Sequence, residues 1–259
     1  MVVKTEDGQK LQNLARKGDY VQLVILYLVS IVQGGLVTGG ISVSISSIEK
    51  AFHLSNFYVV LIFTFYNIFV GIVSIPLTYI AKNHKQIYIS IGMFLICIGG
   101  IIFIMPVLMK SNQELNVTIN SHLCIENKVH IQETEDPSQA LYLSLMYVSF
   151  ALIGIGAAPI FTIAIKYIFE TFPEEKTPVF TSIFNMCQMF GSMIVFIFSK
   201  FILKIHIFPW QQHDQKITPE QETWVGAYWL TYLIGSMVMF VLMILNLIVT
   251  RFNARSRSK

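Results

Sequence analysis

Long apolar runs separated by short polar segments recur six times along this 259-residue chain, at about 21–45, 57–81, 87–109, 139–165, 179–203 and 225–250. A hydrocarbon core of about 30 Å needs roughly 20 apolar residues of helix, whereas a spanning strand needs only about 10 and alternates in polarity. The pattern therefore predicts an all-α membrane protein with six transmembrane helices over residues 21–250. Residues 1–20 are polar and mildly basic and read as a cytoplasmic lead into the first span, and residues 251–259 form a basic tail.

Composition strengthens this reading. Hydrophobic residues make up 54% of the chain and charged ones 13%, against about 25% charged in a soluble domain, and the mean hydropathy is +0.62. A formal charge of +3, spread over several loops, gives no reason to expect a nucleic-acid partner. Cys97, Cys124 and Cys187 form neither an even-numbered framework nor a CxxC pair. No disulfide scaffold, zinc site or other cofactor is implied.

Lys and Arg resist translocation and so mark the cytoplasmic side. With both termini inside, the cytoplasmic pieces carry Lys4, Lys10, Arg16, Lys17, Lys82, Lys85, Lys166, Lys176, Arg251, Arg255, Arg257 and Lys259, against Lys50, Lys110, Lys128, Lys200, Lys204 and Lys216 opposite. Both termini are expected in the cytoplasm, with loop 110–138 extracellular. That loop is acidic and contains Asn116-Val-Thr118, so Asn116 is a candidate glycosylation site. Trp224, Tyr228 and Trp229 stand at the mouth of the last span, where a membrane interface favours amphipathic rings.

Polar positions inside the runs are patterned. Thr64, Asn67, Gly71, Ser74 and Thr78 recur at steps of three and four and share one side of the second helix. Thr181, Asn185, Gln188 and Ser192 repeat the pattern in the fifth. The fourth carries Gly154, Ala158 and Thr162 on one side, continued by Lys166, and the first carries Ser30, Gln33, Gly34, Gly35, Thr38 and Gly39. The third and sixth are nearly all aliphatic, aromatic or glycine. Small and weakly polar residues let membrane helices approach closely, which is one reading of these stripes. The other is that helices one, two, four and five surround a hydrated path while three and six face lipid. On that reading the substrate-path candidates are Gln33, Thr64, Asn67, Pro159, Thr162, Lys166, Asn185 and Gln188.

Pro76 and Pro159 each remove a backbone donor, so the second and fourth helices are expected to bend or open there. Lys166 is the one candidate for a charge near the hydrocarbon, where burial costs about 2.5–3.5 kcal/mol on insertion scales. It serves either as a snorkelling interfacial anchor or, if it points into the path, as a partner for an anion.

Several stretches resemble the organic anion transporting polypeptides, twelve-span transporters of the major facilitator class. Ile48-Glu49-Lys50-Ala51-Phe52 is similar to the family's I-E-x-x-F stretch, and Ala81-Lys82-Asn83-His84-Lys85 with Ile89-Ser90-Ile91-Gly92 is similar to A-K-L-H-R and I-G-I-G. Gly154-Ile-Gly-Ala-Ala-Pro159 resembles G-I-G-E-T-P. Ile217-Thr218-Pro219 and Trp224-Val-Gly-Ala-Tyr-Trp229 resemble the signature D-x-R-W-(I/V)-G-A-W-W-x-G-(F/L)-L, with Trp224, Gly226, Ala227 and Trp229 as its retained positions. The matches cover roughly residues 20–250, and so only the N-terminal half of such a protein.

The resemblance implies half of a major facilitator fold in the plasma membrane and transport of small amphipathic organic anions by alternating access. This half would be a truncated product or would work with a second half or as a homo-oligomer. Charges typical of the family are replaced, by Gln221 and Thr223 in the signature, Ala157 in the G-I-G motif and Val107 after Pro106. These departures keep an alternative open, a non-transporting half that binds or regulates full-length relatives. An enzyme is not expected. All six histidines fall in loops or at helix ends, and neither an HExxH pair nor a phosphate-binding glycine loop occurs.

Overall fold

Backbone groups in hydrocarbon have no water to bond, so each apolar run closes its hydrogen bonds within one long helix. The computed structural model describes residues 17–52, 54–81, 85–121, 137–209 and 224–257. Among them, six helices are long and apolar enough to cross a membrane. The first is α-helical over Lys17–Gly34, π-helical over Gly35–Gly39 and α-helical again over Gly40–Phe52. The others are Asn56–Ile80, Lys85–Ser121, Pro137–Thr171, Thr177–Ile202 and Trp229–Arg257.

Several bounds differ from the hydropathy pattern for local reasons. The first helix continues to Phe52 because its serines find partners one turn back: Ser42 donates to the Thr38 carbonyl and Ser44 to that of Gly40, each at 2.7 Å. The third runs on through Ser121, so the backbone of Asn116 is helical, while the Asn116 side chain lies outside the described residues. The sixth starts at Trp229, since Trp224–Tyr228 is engaged in other bonds. Neither Pro76 nor Pro159 ends its helix. The irregular segment falls instead in the first helix, at Gly35–Gly39.

The second helix packs on the fourth, the fourth on the third, the third on the sixth, the sixth on the first and the first on the fifth. First and fourth also touch, which closes the bundle into two layers. Helices two, four, one and five form one layer, and helices three and six lie behind four and one. The third helix departs from a lipid-facing role, because it is clasped between the fourth and sixth. Its apolar window is 56% buried, against 17% for the second and fifth helices.

Contacts at the two ends fix the alternation of direction. At the end holding residue 18, here proximal, Asn253 donates to the Gly18 carbonyl at 3.1 Å and Tyr167 to an Asp19 carboxylate oxygen at 3.3 Å. Tyr20, Phe172 and Phe180 stack edge to face beside them. At the distal end the Lys110 ammonium donates to the Ala51 carbonyl and lies over the Phe52 ring, which packs on Tyr142. Just below this end the core is aromatic: Phe103, Phe150, Tyr228 and Tyr232 are all fully buried, with Phe103 and Tyr232 ring centres 4.1 Å apart.

Candidate functional site

The first helix is the axis of the polar positions. Its seam with the fifth is made by glycines, since a Cβ on Gly191 would collide with the Ile31 carbonyl and one on Gly34 with the Gln188 carbonyl. Backbones this close allow hydrogen bonds across the seam. Ser30 donates to the Phe184 carbonyl at 2.9 Å, Tyr27 to that of Phe180 at 3.2 Å and Ser192 to that of Gly34 at 3.0 Å. The last of these supplies a partner from the fifth helix where the π-helical segment begins. Within that segment the hydrogen bonds reach one residue further, as the Gly40 amide does to the Gly35 carbonyl.

Gln33 is buried and donates from Nε2 to the Tyr66 hydroxyl at 3.0 Å, which joins the first helix to the second. Tyr66 was not among the sequence candidates, because a tyrosine in an apolar run reads as core. Behind it Gly154 brings the fourth helix against the Tyr66 backbone, and Phe65 stacks on Tyr147 with ring centres 4.7 Å apart. Gly92 and Gly156 cross with their backbones in contact, and Pro159 fills the space beside Gly92.

The remaining candidates do not converge on one enclosed site. Thr64 and Asn67 are exposed on the second helix and bond back to their own turn, at the Val60 and Phe63 carbonyls. Asn185 is exposed on the fifth, and Gln188 is half-buried against Gly34. Thr162 is half-buried and donates to the Ala158 carbonyl at 2.8 Å. Lys166 lies at the proximal end, close enough to Lys85 for the two ammonium groups to repel each other. Lys85 in turn forms an ion pair with Glu170, linking the start of the third helix to the end of the fourth.

A second polar cluster escaped the sequence reading. Asn246, fully buried on the sixth helix, donates to Ser90 Oγ at 2.8 Å and accepts from Gln22 Nε2, which also donates to Gln86 Oε1 at 2.9 Å. Four side chains from three helices thus meet in the proximal half of the bundle. The available signal was the isolated Asn246 in an otherwise apolar run.

At the distal end the aromatic stretch closes the gap between the fifth and sixth helices. His206 and Gly226 face each other in an antiparallel bridge, with the Ile207 amide bonded to the Val225 carbonyl at 3.1 Å and that of Ala227 to Ile205 at 2.9 Å. Trp224 Nε1 donates to the Leu203 carbonyl at 2.8 Å and Trp229 Nε1 to that of Ile207 at 2.9 Å. Gly226 leaves no room for a Cβ beside the Leu203 backbone, and Ala227 is fully buried. These positions therefore act as a clasp as well as ring anchors. Gln221 and Thr223 lie outside the described residues.

Six membrane-length helices in two layers, tied by glycine seams and buried polar bonds, define a multi-pass helical membrane protein. The model of the Organic Anion Transporter Polypeptide (OATP) family matches residues 21–258, and the chain belongs to that family. It is similar to solute carrier organic anion transporter family member 4A1 of Mus musculus, at 26% identity over 227 residues, covering 86% of this chain and 31% of that protein. Member 4C1 of Rattus norvegicus is 23% identical over 80% of this chain and 29% of its own length. Member 1A6 of Mus musculus is 27% identical over 74% and 32% respectively. The chain thus spans about a third of the length of these curated relatives.

Proposed function

We propose that the chain is one half of a major facilitator-type transporter of the plasma membrane, with both termini cytoplasmic. It would move amphipathic organic anions by alternating access together with a second half. The observation that carries this reading is the layer of helices two, four, one and five. Among the described residues, its second and fifth helices leave the polar side chains of Thr64, Asn67 and Asn185 exposed. In transporters of this class the substrate site lies between two halves near the midplane, so such positions are complete only when the other half covers them. Gln33 and Tyr66 brace the back of that face, and Lys166 offers a positive charge at its proximal end.

Reconstitution with a second six-helix half in liposomes, followed by uptake of a labelled steroid conjugate, tests the proposal. Saturable uptake that falls with Asn67→Leu and Asn185→Leu is expected, and no uptake in any combination rejects it. Loss of the glycan-dependent gel shift in Asn116→Gln checks the orientation separately.

A second reading is that the chain binds or regulates full-length relatives without transporting. It is favoured by Ala157, which is fully buried where the resembling motif has a glutamate, and by exposed Met186 and Met189 on the fifth helix. Cysteines placed along Thr181–Ser192 would then crosslink to a co-expressed relative even when uptake is absent.

A further inference from the structure

The first helix changes its hydrogen-bond spacing at Gly35–Gly39, and the turn is not closed in a single way. The Gly40 amide is shared between the Gly35 and Val37 carbonyls, on either side of Leu36, its α-helical partner. Hydroxyls cover carbonyls before, within and after the segment. Ser192 donates to that of Gly34 at 3.0 Å, and Ser42 and Ser44 to those of Thr38 and Gly40, each at 2.7 Å. These carbonyls keep a donor when their amide partner changes, which matters in hydrocarbon because no water can stand in. The residues at the distal end of the segment are also small or unpacked. Thr38 is exposed, a Cβ on Gly39 would lie 2.9 Å from that of Val195, and one on Gly40 would lie 3.2 Å from the Tyr232 hydroxyl. Three residues in a row can therefore turn without carrying a buried side chain with them. The Tyr232 hydroxyl itself is fully buried and has no partner among the described residues.

We propose that the π-helical turn is a register switch, sliding between Gly35–Gly39 and a second position about three residues further along the helix. The slide turns Thr38, Gly39 and Gly40 by up to about 100°. Gln33, bonded to Tyr66, and buried Ile48 keep their places, so neither end of the helix moves against its neighbours. In the second position a peptide carbonyl of the turned residues faces the sixth helix, and the Tyr232 hydroxyl donates to it. That bond offsets the loss of the present closure, which leaves the two positions close in free energy. Register shifts of this kind run on the microsecond to millisecond scale. The switch is a property of this helix and does not depend on what the protein carries.

The test is fluorine relaxation dispersion of a trifluoromethyl label on Thr38→Cys, in lipid nanodiscs and with Cys97, Cys124 and Cys187 replaced by alanine. An exchange contribution is expected at residue 38 and none at Ile72→Cys, which is exposed on the second helix. Deleting Val37 leaves an α-helical turn with nothing to slide and should abolish the contribution. Tyr232→Phe removes only the hydroxyl and should reduce it about threefold or more. A flat profile at residue 38, the same dispersion at residue 72, or exchange that survives the deletion overturns the proposal. Should the deletion variant misfold, Tyr232→Phe decides: a reduced contribution supports the switch, and an unchanged one overturns it.

Discussion

The Gln33 amide donates to the Tyr66 hydroxyl at 3.0 Å, deep between the first two helices, and Gln33 Oε1 has no partner among the described residues. The pair therefore holds one bond and one unmet acceptor. Tyr66→Phe is expected to destabilise the protein by about 0.6–1.7 kcal/mol, the range for polar contacts between membrane helices. Gln33→Leu combined with Tyr66→Phe should cost less than the two single changes added together. A double-mutant cycle from unfolding in mixed micelles reads this directly, and strict additivity would contradict the coupling.

Glycines differ sharply in what surrounds them. Gly191→Ala drives a methyl into the Ile31 backbone, whereas a Cβ on Gly71 meets nothing within 4 Å. The first change should cost about 1–3 kcal/mol through overpacking, and Gly71→Ala should stay within about 0.5 kcal/mol of the wild type. Thermal melting of the two proteins side by side checks the contrast.

Asn246 satisfies Gln22 and Ser90 at once. Asn246→Leu removes its bonds to both and leaves one buried Gln22 N–H unmet, although Gln22 keeps Gln86 and Ser90 keeps the Gln86 carbonyl, for a loss of about 1–3 kcal/mol. Because the cluster joins helices one, three and six, hydrogen exchange should rise at the proximal ends of all three. A rise confined to the sixth helix would show that the cluster does not act as a unit.

The clasp at the distal end rests on two indole donors. Trp224→Phe keeps the ring and removes the bond to Leu203, and Trp229→Phe does the same for Ile207. Each is expected to cost about 1 kcal/mol and to speed limited proteolysis between residues 203 and 224. Unchanged cleavage in the double variant would assign the tryptophans to interfacial anchoring alone.

Glu170 is half-exposed, so its ion pair with Lys85 is worth little by itself. Glu170→Gln should shift stability by less than about 1 kcal/mol. Glu170→Lys, which brings a third ammonium beside Lys85 and Lys166, should cost more, and more at low salt than at high salt. Melting temperatures across a salt series distinguish the two.

The six helices were legible because the length of an apolar run is a local property, and the family was legible because its motifs are contiguous. Helix ends were less so: Ser42 and Ser44 look like a polar exit, yet their hydroxyls are satisfied one turn back and the helix continues. Spacing places the polar positions along one side of a helix, but it cannot say what lies opposite. Gln33 meets a tyrosine, Thr64 and Asn67 meet their own backbone, and Gln188 meets a glycine. The enclosed third helix was missed because an apolar helix reads the same whether lipid or protein surrounds it. Asn246 was missed because one amide makes no stripe.

The π-helical turn at Gly35–Gly39 has a numerical meaning as well as a packing one. A turn bonded five residues back holds one residue more than the same turn of α-helix. The first helix thus carries one residue of slack in its count, placed between Gln33 and the buried run Ile41, Ser44 and Ile48. Deleting a single residue there, Val37 for example, would tighten the turn to an α-helix and leave Gln33 and Ile41 on their present faces. The same deletion at Val29 would rotate one half of the helix by about 100° against the other. Among the described residues of this helix, a one-residue deletion would be absorbed at that turn.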